Sequence, residues 1–71
     1  NRSSDLLTAD QKRDLLTQRI QQFASEAYQH ELNRQIAEAV QDSAAVQTAN
    51  DALATLETAI TVHEVELDGL S

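Results

Sequence analysis

The residues in this chain best suited to chemistry are its two imidazoles and twelve carboxylates. Glu26 and His30 stand four apart, which places them on one face of a helix with Glu31 beside them. That pair is suited to holding a transition metal. Bundle-core carboxylate sites, however, draw Glu-x-x-His from facing helices, and no Glu stands three residues before His30 or His63. The absence of Cys removes thiolate ligation. Glu26, His30 and Glu31 are therefore expected to be solvated surface groups, and no metal or cofactor is expected. A bundle-core metal site ranks third among the functional readings.

Covalent catalysis has no better support. Ser3, Ser4, Ser25, Ser43 and Ser71 lack the Gly-rich elbow that exposes a nucleophile. Gly69 is the single glycine, so neither a P-loop nor a dinucleotide fingerprint can be built. No catalytic residue is assigned, and the chain is not expected to be an enzyme. His63 differs from the other polar residues because it interrupts an apolar row. There an imidazole can set helix register, and its charging near a pKa of about 6.5 would make association depend on pH.

These groups must be positioned by helices. Pro is absent, and Ala, Gln, Leu and Glu dominate. Thr8-Ala9-Asp10-Gln11 fits a capping box that starts a helix near Ala9. Asp42 or Ser43 can cap a second helix, and a further capping box at Thr48 to Asp51 would move the turn later. The expected organisation is a flexible segment over residues 1–8, a helix over about 9–41, a second over about 44–67, and a tail over 68–71.

In the first helix an apolar row recurs every four positions, Leu16, Ile20, Ala24, Tyr28, Leu32, Ile36 and Val40, widened by Leu15, Phe23, Ala27 and Ala39. Such a row drifts about 40° per step on an ideal helix, so the helix must bend or meet more than one neighbour. The second helix has a cleaner seam of alternating three- and four-residue steps: Val46, Ala49, Leu53, Leu56, Ile60, His63, Leu67 and Leu70. Ala45, Ala52 and Ala59 form a strip of small side chains beside it.

Folding back near Asp42 aligns Val40 with Val46, Ile36 with Ala49, Leu32 with Leu53, Tyr28 with Leu56 and Phe23 with His63. This favours a hairpin over one continuous rod nearly 90 Å long. Residues 60–67 are rich in β-branched side chains and admit a strand, but no partner strand exists in the chain, so helix is expected. The fold class is thus all-α: two long antiparallel helices, completed by oligomerisation as a four-helix bundle or coiled coil.

Size supports that completion. A chain of 71 residues hides only about 60% of its unfolded surface when it folds alone, and without disulfides or metals association is the remaining remedy. Leu16, Ile20, Phe23, Ala27, Ala45, Ala52, Leu56, Ala59, Ile60 and His63 are the interface candidates. The expected partner is a second copy, or a helix of a larger assembly.

Charge narrows the alternatives. The net charge is −7, and residues 35–71 hold seven acids and no base. Phosphate backbones and anionic lipid would be repelled, so neither nucleic acid nor membrane is an expected partner. No stretch approaches the length of a membrane span, and the chain reads as soluble and cytoplasmic. The leading function is a non-enzymatic structural or interaction module. The alternative is an acidic decoy that inhibits a nucleic-acid-binding protein, with Glu57, Glu64, Glu66 and Asp68 imitating phosphates.

Overall fold

Thr8 fixes where the first helix begins. Its Oγ1 accepts from the Gln11 backbone N–H at 3.1 Å, and the Gln11 side chain accepts from the Thr8 N–H at 2.9 Å, so two orphan donors of the first turn are satisfied reciprocally. From this box α1 runs Ala9–Ala39 without interruption, and α2 follows over Ser43–Gly69. The computed structural model describes residues 6–70; residues 1–5 of the N-terminal segment and Ser71 lie outside them. Residues 60–67 are helical throughout, which overturns the strand reading. A lone strand would leave its backbone groups unpaired, whereas a helix satisfies them internally. Asp68 and Gly69 are also helical rather than part of a tail.

The two helices pack against each other, so the chain is a hairpin and not a rod. Its extents are 52 × 18 × 17 Å. The long axis matches the roughly 46 Å that 31 residues span at 1.5 Å each.

The reversal takes three residues, and no glycine helps. Gln41 adopts φ 61°, the left-handed conformation that ends a helix. Its N–H donates to the Glu38 carbonyl at 3.1 Å, and the Asp42 N–H donates to the Ala37 carbonyl at 2.8 Å. These are the paired bonds of a Schellman motif. Asp42 also opens α2, its carboxylate accepting from the Ala45 N–H at 3.1 Å. One residue therefore closes α1 and caps α2, which leaves the connection no slack. A left-handed conformation costs a residue with a Cβ roughly 1–2 kcal/mol. Gln41→Gly should raise stability by about 0.5–1 kcal/mol in urea denaturation, part of the relief being lost to the freer unfolded chain. Loss of stability in that variant would mean that the Gln41 side chain stabilises the turn by some other route.

Packing follows the expected seam on α2 and departs from it on α1. Val46, Leu53, Leu56, Ile60, His63, Leu67 and Leu70 are half-buried and Ala49 is buried. Beside half-buried Lys12, Glu26 and Glu31, the half-buried positions on α1 are Arg13, Leu16, Ile20, Phe23, Ala27, His30 and Arg34, ending at buried Ala37. These alternate in steps of three and four, so α1 turns one straight stripe toward α2. The four-residue row leaves that stripe after Ile20. Ala24 is exposed, and Tyr28, Leu32, Ile36 and Val40 are 64%, 40%, 62% and 67% exposed. Their expected pairing with Leu56, Leu53, Ala49 and Val46 is overturned. The row drifts 40° per step away from a neighbour lying along α1; His30, Arg34 and Ala37 take those levels instead.

Candidate interaction surface

The ten residues proposed as interface candidates are all half-buried. Leu16, Ile20, Phe23 and Ala27 on α1 and Leu56, Ile60 and His63 on α2 lie along the hairpin's own seam, while Ala45, Ala52 and Ala59 lie at its margin. The best-defined contact joins Phe23 and His63, as the hairpin alignment requires. Their rings meet edge to face, with centroids 5.0 Å apart and an interplanar angle of 81°. The His63 Nδ1 lies 2.7 Å from the Ala59 carbonyl one turn earlier. A carbonyl only accepts, so Nδ1 carries the proton and the neutral ring keeps Nε2 as its acceptor. Above the same Phe23 ring lies the Arg19 guanidinium, 5.7 Å from the centroid.

His30, Glu26 and Glu31 are half-buried, each still partly open to solvent. The reason is the straight stripe: His30 takes a seam position, and Glu26 and Glu31 flank it. Arg34 bonds to Glu31 and also donates to Glu38 at 2.9 Å. The Arg34 guanidinium, and after it the Gln35 amide, lowers the pKa of the Glu31 carboxyl, while Glu31 raises that of Arg34. A carboxyl lowered on folding stabilises the fold above its unfolded pKa and loses that contribution as pH falls through its folded pKa. The Glu31–Arg34 pair is thus a stabiliser at neutral pH that gives way in acid.

At the open end, Arg13 donates to the Leu70 carbonyl at 3.0 Å across the hairpin and also pairs with Asp10. α2 has no basic residue in its last turn and carries Glu66 and Asp68 there. Acids at a helix C-terminus oppose the macrodipole, so Arg13 supplies from α1 the cation that α2 lacks.

Nothing in this arrangement gathers reactive groups. Among the described residues no three His, Cys, Asp or Glu side chains cluster as metal ligands, and no helix is long and apolar enough to cross a membrane. The acids of the decoy reading divide between two flanks of α2. Glu57, Glu64 and Asp68 follow steps of seven and four along one flank, whereas Glu66 continues the Ala45, Ala52, Ala59 series on the other.

An apolar surface that the expected pairing would have covered stays open. Tyr28, Leu32, Ile36 and Val40 form an open stripe on α1, facing away from α2. Val62 and Val65 are 59% and 67% exposed on the outer side of α2. A groove lined by His30, Asn33, Ala45, Thr48 and Ala49 also stays open beside the alanine strip. No protein-family model matches the chain, and no curated protein or solved structure matches it either.

Proposed function

We propose that this chain is a non-enzymatic helical assembly module, a hairpin that completes its core by packing against further helices. Those helices come from a second copy, giving a four-helix arrangement, or from a larger partner. One observation carries the reading. Among the described residues the buried ones are Ala37 and Ala49, no large side chain is fully buried, and Tyr28, Leu32, Ile36 and Val40 stand open to water. Burying one such side chain is worth about 1.5–3 kcal/mol, comparable with a large part of the stability of so short a chain. Association is the route by which that surface leaves water.

The test is dilution. Light scattering with thermal unfolding across micromolar concentrations should give a mass above the monomer and a melting midpoint that rises with concentration. A cooperative melt with a fixed midpoint and a monomeric mass would overturn the assembly reading for the isolated chain. Salt separates it from the decoy reading, since phosphate imitation weakens steeply with ionic strength whereas an apolar contact does not.

A further inference from the structure

We infer that the outer face of α1 between Tyr28 and Val40 is the contact through which two copies of this chain pair, α1 against α1 across a two-fold axis near Leu32 and Ile36. This rests on the assembly reading above and names its surface and its partner.

The geometry of the stripe selects the mode of contact. Tyr28, Leu32, Ile36 and Val40 are spaced four apart and so form a single i±4 ridge. A neighbour running parallel to α1, as α2 does, cannot follow a ridge that winds away by 40° per step. A helix that crosses can touch it at its centre. Two such ridges interdigitate at a crossing angle of about −50°, the arrangement in which each helix presents the same ridge to the other. A two-fold contact demands that self-complementarity.

Charge selects the partner. Two copies at −7 each repel, so they can meet only where the surface lacks acids. The exposed charges of α1 between Gln18 and Val40 are Arg19 and Glu38, and both lie toward the seam: Arg19 over the Phe23 ring and Glu38 on Arg34. The rest of the exposed surface in that stretch is apolar or uncharged, with Gln and Asn at its rim. α2 carries acids and no base, so pairing through α2 would set carboxylate against carboxylate. Pairing through α1 leaves both acidic helices outermost, at their greatest separation. A strongly basic partner would find no counter-charge on this face.

Area sets the strength. A standard interface takes about 800 Å² from each partner. Four part-exposed side chains make a smaller face than that, so the pair should be weak and dissociate reversibly on dilution.

Tyr28 is the only Tyr, and Trp is absent, so intrinsic fluorescence reports from the contact itself. Sedimentation equilibrium and Tyr28 fluorescence, measured together on the full chain, should show a reversible dimer that tightens as salt rises, because screening removes repulsion between the copies. Ile36→Glu should raise its dissociation constant at least about a hundredfold, since an unpaired carboxylate enters a two-fold contact twice. Ile36 is 62% exposed, so helix content by circular dichroism should be retained; Ile36→Gln, with at least about a tenfold effect, serves if it is not. Val65→Glu on the outer side of α2 should leave the dimer unchanged.

A wild-type dimer that withstands the Ile36 variants but is lost in Val65→Glu would overturn the surface and leave the assembly reading standing. A wild-type chain that stays monomeric at every concentration and salt, with a fixed midpoint, would overturn both.

Discussion

Phe23→Ala is expected to lower the stability of the hairpin by about 2–3 kcal/mol, more than any other truncation on the seam. Truncating a fully buried Phe costs about 3–5 kcal/mol, and half-burial reduces that figure. Two contacts beyond plain burial restore part of it. The edge-to-face meeting with His63 at 5.0 Å is worth about 0.5–1.5 kcal/mol, and the Arg19 guanidinium over the ring adds about 0.5–1 kcal/mol. Set against the roughly 4–11 kcal/mol that 71 residues ordinarily muster, the loss is severe. Urea denaturation of Phe23→Ala, His63→Ala and the double variant measures it. The cycle should return a Phe23–His63 coupling of about 0.5–1.5 kcal/mol, and additive losses would show that the ring geometry contributes nothing beyond burial.

The second large effect comes from adding atoms. Ala37 and Ala49 are each 4% exposed, and the register set by Phe23 opposite His63 places them level near the turn. The methyl groups are already covered there, so an isobutyl group must push its neighbours aside to stay inside. Ala49→Leu should cost about 1–3 kcal/mol through displaced helices and forced rotamers, although it increases apolar content. Ala54→Leu on the exposed side of the same helix is the control and should stay within about 0.5 kcal/mol of wild type. If Ala49→Leu proved equally silent, the added atoms would be turning into the open groove beside Ala49 rather than into the seam.

How much of this was legible depended on whether one partner or several dictated the pattern. α2 was readable because Val46 to Leu70 alternates three- and four-residue steps, and only one face satisfies that spacing. The Thr8 box and the Asp42 cap were readable because capping needs particular side chains at fixed offsets. α1 was not, since two apolar rows diverge from Leu16 and Ile20. One holds the larger residues, Tyr28, Leu32, Ile36 and Val40; the other passes through His30, Arg34 and Ala37. Hydrophobicity favours the first row, yet the straight register with α2 selects the second, and no count of apolar residues reveals that choice. Gln41 was equally opaque, because Gln is seldom the residue that supplies a left-handed turn.

The doubled duty of Asp42 carries a kinetic consequence. With the end of one helix and the beginning of the next fixed by a single residue, the chain crosses almost no loop before its first tertiary contact can form, and the search that slows most folds is nearly removed. Refolding belongs in the microsecond-to-millisecond range of helical chains with local topology. It should proceed as a zipper, closing first at Ala37 and Ala49 and fastening last where Arg13 reaches the Leu70 carbonyl.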